Sequence, residues 1–343
     1  MKISGQDALN KIINKINLSY EEMYFLFDEI MLGKISPELI SAIAVGLRMK
    51  IETIDEIAAA AKVMREHSKK VKFLKSENLL DIVGTGGDNS NTFNISTASM
   101  FVVAAAGIPI AKHGGRSVSS NSGSADVLEE LGININLTPD EVEESISTTG
   151  IGFMFAPNHH QAMKYAAPVR KKIGIRTIFN ILGPLTNPAN APNILMGVFK
   201  SELVRIQIQV LQRLGTKRAL VVCSNDNLDE ISIETSTKVA ELSEEKIKEY
   251  EIHPEEYNIQ VYSNKNIKVN NVLESKQKII ESLQNVSGAA RDIVILNSGA
   301  AIYIAGIKNS IHEGINYAKE LISNGLAREK LEELKKFTNE LKK

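Results

Sequence analysis

The chain has 343 residues, of which 43% are hydrophobic, enough to bury the core of one large domain and a smaller companion. Its 40 Lys and Arg residues nearly balance 41 Asp and Glu residues, so no overall field attracts it to nucleic acid or to an anionic membrane. The single cysteine, Cys223, excludes an internal disulfide, and no apolar stretch approaches the roughly 20 residues that cross a bilayer. With no signal-like amino terminus, these features predict a protein of the reducing cytoplasm.

Short helices are predicted over the first 70 residues, because helix-capping residues recur there. Ser19 with Glu22 and Thr53 with Glu56 match capping boxes, and Ser36 precedes a proline at a first helical position. One apolar stripe at helical spacing indicates a packed face, formed by Ile40, Ile43, Ala44 and Leu47. We therefore predict three or four helices that form a small all-helical domain at residues 1–70.

From about residue 75 short β-prone runs are followed by glycine-rich turns and helices, which is typical of parallel strands with helical crossovers. Strands are predicted at 79–83, 108–111, 151–155 and 219–223, and helices at 97–106, 138–150 and 201–214. The tail after these elements is predicted to be mainly helical. The fold class is therefore α/β, with a mostly parallel central sheet in a large domain at 75–343. Residues 164–190, which include the proline-rich GPLTNPANAP, are predicted to leave that domain as a helical excursion.

Three glycines stand directly after the first predicted strand, in the sequence DIVGTGGDN of residues 81–89. Glycines let backbone N–H groups approach a phosphate, although this turn is neither a Walker loop nor a dinucleotide fingerprint. On its own the motif leaves a phosphate cradle and an ordinary tight turn as equal alternatives.

Amide and hydroxyl side chains stand at the start of the next predicted helix, namely Asn94, Ser96 and Thr97. A helix amino terminus presents unpaired N–H donors and favours anionic ligands, whereas simple capping by Ser96 or Thr97 is the alternative. The adjacent glycine-rich turn favours the anion-binding interpretation.

A polar loop follows the second predicted strand, in the sequence KHGGRSVSSNSGSAD of residues 112–126. Lys112, His113 and Arg116, together with five serines, are suited to wrapping a pyrophosphate, and a mobile surface loop is the alternative. Because the carboxyl ends of parallel strands share one edge of the sheet, we expect this loop and GTGGD to converge on one ligand.

Two adjacent carboxylates, Asp229 and Glu230, follow the strand that is predicted to end at Cys223. Carboxylate oxygens suit Mg²⁺, which usually keeps several waters and bridges to substrate phosphates. An isolated Asp-Glu pair is ordinarily solvated, but its place after a strand of the same sheet predicts that it reaches the same rim. The six histidines show no zinc-site spacing, and no serine lies in a nucleophile elbow.

Five motifs occur in one order along nearly the whole chain: GTGGD, NIST, KHGxR with SxSGSADVLEELG, VRKKIGIRTIFNILGPLTNP, and LDE. In residues and spacing they resemble the anthranilate phosphoribosyltransferase family. The resemblance implies the architecture shared with nucleoside phosphorylases, in which a helical domain is hinged to an α/β domain, and a homodimer. It also implies transfer of the 5-phosphoribosyl group from phosphoribosyl pyrophosphate (PRPP) to the amine of anthranilate in tryptophan biosynthesis, with two Mg²⁺ ions per subunit.

The resemblance also implies which residues contact the substrates. They are Gly84, Gly87, Asp88, Thr92, Asn94, Ile95, Ser96, Thr97, Lys112, His113, Gly114, Gly115, Arg116, Ser119, Ser120, Ser124 and Arg170. One Mg²⁺ is implied at Ser96, and the second at Asp229 and Glu230. Arg170 matches the arginine that meets the carboxylate of anthranilate, with packing of its aliphatic stem as the alternative. No general base is assigned, and His113 is the candidate by proximity.

Three positions depart from the family pattern. Gly115 stands where the family usually carries an asparagine whose side chain is expected to contact anthranilate. Glycine lacks that side chain, and the lost hydrogen bond would be worth about 0.5–1.5 kcal/mol. Asn121 replaces a common lysine, and Asn227 stands where glycine usually precedes LDE. The alternatives left open are a family paralogue with a different acceptor, a nucleoside phosphorylase, and a non-catalytic nucleic-acid-binding relative, which the near-neutral charge disfavours.

Overall fold

The structure, a computed structural model, describes residues 3–73, 77–116 and 121–341. Between residues 3 and 73 it contains four helices: α1 (Gly5–Ile13), α2 (Tyr20–Met31), α3 (Pro37–Lys50) and α4 (Ile54–Glu66). The predicted capping boxes at Ser19 and Thr53 are formed, and Ser36 caps α3. The predicted apolar stripe of α3 is buried, so the helical start of the chain is confirmed.

A seven-stranded sheet forms the centre of the α/β part that the structure describes. Its strands are β1 (Leu80–Gly84), β2 (Ile110–Gly114), β3 (Ile151–Phe155), β4 (Asn193–Gly197), β5 (Arg218–Ser224), β6 (Thr237–Ser243) and β7 (Lys246–Ile252). They lie in the order β3-β2-β1-β4-β5-β6-β7, and only the last two strands run antiparallel to their neighbours. The mostly parallel sheet is therefore confirmed. The loops after β1, β2 and β5 all open at the same edge.

Eleven helices follow α4 in the described residues, and some of them cover each face of the sheet. They are α5 (Ile95–Ala105), α6 (Ser124–Glu130), α7 (Pro139–Thr149), α8 (Ala156–His159), α9 (Ala167–Ile173), α10 (Phe179–Leu182), α11 (Glu202–Arg213), α12 (Val272–Leu283), α13 (Ala289–Ile304), α14 (Ile311–Ser323) and α15 (Leu326–Glu340). Neighbouring strand residues alternate between two cores: Leu195 packs with α5 and α13, whereas Ile194 packs with α11 and the amino-terminal helices. No helix of the described residues is long and apolar enough to cross a membrane.

The excursion of residues 164–190 packs on the amino-terminal helices. Its helix α9 contacts α3, and the ring of Phe179 in α10 lies 5.8 Å from the ring of Phe27 in α2, measured between centroids. Val169 and Leu182 are buried in the same apolar cluster as α2, α3 and α4. This segment therefore lies between the helical part of the molecule and the sheet.

The prediction for the second strand is wrong at both ends. The strand runs from Ile110 to Gly114, so Lys112 and His113 belong to the strand and not to the loop. They pair in parallel register with Phe153 and Met154 of β3. The sequence does not predict this, because Lys and His are uncommon in a buried strand. Pairing with the neighbouring strands outweighs the preference of these polar residues for a loop.

The prediction of a mainly helical tail is wrong for residues 237–252, where β6 and β7 form an antiparallel hairpin. The turn residues Glu244 and Glu245 have φ values of 50° and 61°, in the region where hairpin turns usually carry Gly or Asn. The turn therefore lacks the Gly or Asn that usually marks a hairpin in a sequence. The sequence of β7, KIKEYEI, is charged and resembles that of a solvent-exposed helix. From α12 onward the tail is helical as predicted.

Candidate active site

The glycine-rich turn after β1 faces the carboxylate of Asp229. The Gly86 N–H donates a hydrogen bond to Asp229 Oδ2 at 2.7 Å, which joins the loop after β1 to the loop after β5. Gly84 leaves room for that carboxylate, since a Cβ there would lie 2.4 Å from Asp229 Oδ2. Gly87 has a φ of +74°, in the left-handed region that favours glycine. Gly84 is thus required by the close approach of the Asp229 carboxylate, and Gly87 by its backbone conformation.

Asp229 and Glu230 lie half-buried beside the start of α5. The Ser96 N–H donates to Glu230 Oε1 at 3.1 Å. Burial raises the pKa of both carboxyls; repulsion by Asp88 adds to the rise at Asp229, and repulsion by Asp229 adds to it at Glu230. Acidic side chains held this close together favour a cation among them.

Lys112 brings a positive charge to the same place from β2. Its side chain is buried, and its Nζ donates to the Ile82 carbonyl oxygen and, at 3.1 Å, to Ser96 Oγ. Burial lowers the pKa of Lys112, and the charges of Asp81 and Glu230 oppose that change. Residues from β2 and from the loops after β1 and β5 therefore meet at the beginning of α5, and the order of the motifs predicts this convergence.

The oxygen atoms gathered here fit Mg²⁺. The carboxylates of Asp229 and Glu230 and the hydroxyl of Ser96 are hard ligands. Asp88 Oδ2 is buried without a hydrogen-bond partner among the described residues, and a hydrated cation would satisfy it. Within the described part of the chain no three His, Cys, Asp or Glu side chains enclose a metal ion by themselves. Waters and substrate oxygens would complete the coordination, which is the usual mode for Mg²⁺.

Asn94 precedes α5 without capping it through its side chain. Its Oδ1 accepts hydrogen bonds from Ser122 Oγ and Ser275 Oγ, each at 2.7 Å, and its Nδ2 donates to the Ser122 carbonyl oxygen at 3.1 Å. Ser96 and Thr97 lie inside the first helical turn, so neither caps the helix. The capping alternative for these residues is wrong, and Asn94 instead ties the polar loop after β2 to α5 and α12.

Three further residues implied by the family resemblance are Ile95, Thr97 and Arg116. Ile95 and Thr97 are buried, and the Thr97 hydroxyl has no hydrogen-bond partner among the described residues. The Arg116 guanidinium pairs with Asp126 at 2.9 Å and with Glu129 at 2.5 Å, and these carboxylates raise its pKa. Arg116 is predicted to offer a cationic donor to pyrophosphate, and in the structure its guanidinium instead lies against two carboxylates of α6.

The turn after β2 is crowded at Gly114 and open at Gly115. A Cβ at Gly114 would lie 2.3 Å from Ser124 Oγ. A Cβ at Gly115 would meet only the Cβ of Ala156, 3.9 Å away. The Gly115 carbonyl oxygen accepts a hydrogen bond from Ser124 Oγ at 3.3 Å. Gly115 thus leaves an open space where the family pattern has an asparagine side chain.

The remaining hydroxyl residues of the predicted site divide into two groups. Thr92 forms an antiparallel bridge with Lys268, and its Oγ1 lies 3.3 Å from Ser90 Oγ. Ser119 and Ser120 lie outside the described residues. The bridge at Thr92 links the segment after the glycine-rich turn to Lys268, which lies in none of the sequence motifs.

A buried carboxylate lies beneath the site and is not evident from the sequence motifs. Asp81 is fully buried; its Oδ1 accepts from the His113 N–H at 3.2 Å and its Oδ2 accepts from Asn187 Nδ2 at 2.7 Å. Burial raises the pKa of Asp81 to about 6, although Lys112 opposes the rise. The one signal in the sequence is an acidic residue inside the apolar strand LDIV. Asp81 joins β1, β2 and the end of the excursion.

The structure disfavours His113 as a general base. Its ring packs 5.0 Å from the ring of His160, measured between centroids, and its Nε2 is buried without a hydrogen-bond partner among the described residues. Burial, followed by His160 and His159, lowers its pKa well below the usual value. A base whose pKa lies so far below neutrality accepts protons weakly.

Two arginines of the excursion differ in how they meet the α/β part. Arg170, on α9, is half-buried, and burial lowers its pKa. The Arg176 guanidinium donates to the Gly87 carbonyl oxygen and stacks over the ring of Phe199, 4.2 Å from its centroid. The family motifs pointed to Arg170, whereas the structure adds Arg176 as a contact of the glycine-rich turn.

Two departures from the family pattern, Asn227 and Asn121, lie in loops of the site. Asn227 has a φ of 63°, a left-handed conformation that favours glycine and that asparagine tolerates better than most residues. Asn121 donates from Nδ2 to the Val269 carbonyl oxygen at 3.0 Å.

The helical bundle, the mostly parallel sheet and the acidic, glycine-rich rim define a two-part glycosyl transferase. The family model for the α/β domain of this glycosyl transferase family matches residues 76–328, and the model for its helical bundle domain matches residues 6–68. Within this class, the sequence is 60% identical over 343 residues to an anthranilate phosphoribosyltransferase of Janthinobacterium sp. (strain Marseille), covering 100% of both chains. It is 59% identical over 341 residues to the enzyme of that name from Herminiimonas arsenicoxydans, covering 99% of both. The chain belongs to the anthranilate phosphoribosyltransferase family.

Solved structures agree with this assignment. The anthranilate phosphoribosyltransferase of Thermus thermophilus superimposes with a TM-score of 0.92 at 38% identity, over 97% of this chain and 99% of that one. The Saccharomyces cerevisiae enzyme in complex with PRPP and Mg superimposes with a TM-score of 0.88 at 26% identity, over 98% of each chain.

Proposed function

We propose that this chain transfers the 5-phosphoribosyl group from PRPP to the amine of anthranilate, releasing pyrophosphate, as a step of tryptophan biosynthesis. One observation carries the proposal: the Ser96 N–H donates to Glu230 and the Ser96 Oγ accepts from Lys112, each at 3.1 Å, so β2 and the loops after β1 and β5 share one polar centre. Full-length relatives that carry this enzyme name support it, as does the yeast relative solved with PRPP and Mg.

The donor binds at the rim formed by the glycine-rich turn and the start of α5. Backbone N–H groups and the positive end of the helix dipole favour its phosphates there. Lys112 neutralises charge on the departing pyrophosphate as the bond to C1 of the ribose breaks. The ordered turn at Gly84 and Gly87 lets the backbone approach without side-chain obstruction.

Mg²⁺ belongs to the same centre in this proposal, with two ions per subunit. Ser96 would hold one ion, and Asp229 with Glu230 would hold the second. When bound there, Mg²⁺ would supply positive charge that lowers the cost of the charge developing on pyrophosphate. The yeast relative solved with PRPP and Mg supports the use of this metal.

The acceptor side relies on orientation. The amine of anthranilate is neutral and already nucleophilic, so a precise pose matters more than a strong base. Arg170 binds the carboxylate of anthranilate from the excursion, and Gly115 leaves part of the acceptor region open. We further propose that the enzyme is a cytoplasmic homodimer.

The test is an assay of the purified protein with anthranilate, PRPP and Mg²⁺. Phosphoribosylanthranilate should form, measured by loss of anthranilate fluorescence and by mass spectrometry, and EDTA should stop its formation until Mg²⁺ is restored. Absence of product with both substrates and the metal would overturn the proposal. Faster turnover of another aromatic amine would favour the paralogue, and phosphorolysis of thymidine or uridine would favour a nucleoside phosphorylase.

A further inference from the structure

One stretch of the chain, residues 262–271, contacts all three loops of the candidate active site; we name it the bracing segment. It pairs with the loop that joins the glycine-rich turn to α5. The Phe93 N–H donates to the Ile267 carbonyl oxygen at 3.0 Å, and the Val269 N–H donates to the Asn91 carbonyl oxygen at 2.8 Å. These backbone bonds fix the bracing segment alongside the donor-binding side of the site.

The same segment is anchored in the core and reaches the polar loop after β2. Ile267 and Val269 are 0% and 2% exposed, so their side chains hold the segment in place. The Val269 carbonyl oxygen accepts a hydrogen bond from Asn121 Nδ2 at 3.0 Å. The bracing segment is therefore a fixed reference for two of the three loops.

Asn264 connects the bracing segment to the third loop, which carries the carboxylate pair. Its Nδ2 donates to Asp226 Oδ2, and its backbone N–H donates to Glu234 Oε2 at 2.7 Å. The other oxygen of Asp226 accepts from Ser224 Oγ and, at 3.4 Å, from the Leu228 N–H. Asp226 thus shapes the turn immediately before the carboxylate pair, and Asn264 attaches that turn to the bracing segment.

We propose that Asn264 is a positioning residue for the carboxylates of Asp229 and Glu230, acting through Asp226. It contacts neither carboxylate. It sets where the turn after β5 sits relative to the glycine-rich turn, and so where Glu230 meets Ser96. A metal and phosphate site requires its groups to be held within about 0.5 Å, which a loop achieves only when other contacts support it. This role rests on the proposed function.

The test compares Asn264→Ala with Asn266→Ala, its neighbour on the same segment. Asn266 is exposed, and its side chain makes no hydrogen bond within the described residues, which makes it a matched control. Calorimetry measures binding of PRPP in the presence of Mg²⁺ without turnover. The dissociation constant should rise about tenfold in Asn264→Ala, as expected for a coupled contact, and remain at the wild-type value in Asn266→Ala. The anthranilate KM and the melting temperature should change little.

A charge exchange separates positioning from general loss of structure. Asn264→Asp alone places a second carboxylate against Asp226 and should weaken PRPP binding, whereas adding Asp226→Asn restores a donor and acceptor pair and should recover it. Unchanged binding in Asn264→Ala, or weaker binding that follows a matching fall in melting temperature, overturns the role of Asn264. A wild-type protein that binds no PRPP with Mg²⁺ overturns the proposed function itself.

Discussion

The Arg176 guanidinium donates a hydrogen bond to the Gly87 carbonyl oxygen while it stacks over the ring of Phe199. This contact joins the excursion, which packs on the amino-terminal helices, to the turn that we propose binds the donor. The planar guanidinium makes both contacts at once, and the ammonium of a lysine has no flat face to stack. The position of the glycine-rich turn therefore depends on the part of the chain that also carries Arg170.

Replacing Arg176 with lysine is expected to raise the KM for PRPP about tenfold, because a hydrogen bond from a charged donor is worth roughly 1.5–3 kcal/mol and lysine recovers only part of it. Steady-state kinetics with PRPP varied at saturating anthranilate would measure the effect. Arg205→Lys, on the exposed face of α11, is the control and should behave as wild type. Equal KM values for the two variants would contradict a role for Arg176 at the turn.

Gly197→Ala is expected to lower activity by displacing Asp229, although Gly197 itself is not a proposed metal ligand. Gly197 ends β4, and a Cβ there would lie 1.6 Å from the Asp229 carbonyl oxygen, so the loop must move. A displacement of about 1 Å is expected to lower kcat/KM about a hundredfold. Gly5→Ala, where a Cβ meets only flexible side-chain ends, is the control. Activity at saturating Mg²⁺ measures the effect, and retention of wild-type activity would show that the loop tolerates the shift.

Gly115→Asn is expected to tighten anthranilate binding about three- to tenfold, the worth of one added hydrogen bond of 0.5–1.5 kcal/mol. The space beside Gly115 accepts the side chain, since its Cβ meets only the Ala156 Cβ at 3.9 Å. Fluorescence titration with anthranilate, with PRPP and Mg²⁺ omitted, measures the change. Gly115→Ala supplies the Cβ without the amide and should bind as wild type does. An unaltered affinity in Gly115→Asn would show that this turn does not touch the acceptor.

Acid is expected to destabilise the protein through His160. The side chain is 7% exposed, and burial, followed by His159, lowers its pKa to about 4 from the ordinary 6.5. Between pH 6.5 and pH 4 the unfolded chain binds a proton at His160 that the folded chain does not bind. The contribution of neutral His160 to the free energy of unfolding is therefore complete above about pH 6.5 and is lost as the pH falls toward 4. From pH 7.5 to pH 5 the loss attributable to His160 is about 2 kcal/mol.

Urea unfolding at pH 7.5 and pH 5 checks this expectation. In His160→Gln the free energy of unfolding should fall by about 2 kcal/mol less between pH 7.5 and pH 5 than it does in the wild type. This difference is expected whatever the stability of the variant at pH 7.5. His312→Gln, at an exposed position on α14, should keep the wild-type pH dependence. Identical losses in wild type and His160→Gln would show that His160 is not the group that titrates.

The sequence predicts which residues lie at the candidate site far better than it predicts the contacts that their side chains make. Glycines at 84 and 87, the hydroxyl of Ser96 and the carboxylates at 229 and 230 follow strands, and parallel strands bring their carboxyl ends to one edge, so convergence followed from the order of the motifs. Arg116 shows the limit. Its neutralisation by Asp126 and Glu129 depends on the direction of a long side chain, which no local pattern specifies.

By itself the sequence determined the capped helices at the start, the parallel strands and the polar loops, because each depends on short-range spacing and on backbone preferences. Only the tertiary structure decided that Lys112 lies within a strand, that β6 and β7 form a hairpin, and that Asp81, Arg176 and Asn264 support the site. Except for the hairpin turn, these features arise from contacts between residues 30 to 106 positions apart in the sequence. Burial and pairing across such separations outweigh the local preferences of the residues that make them.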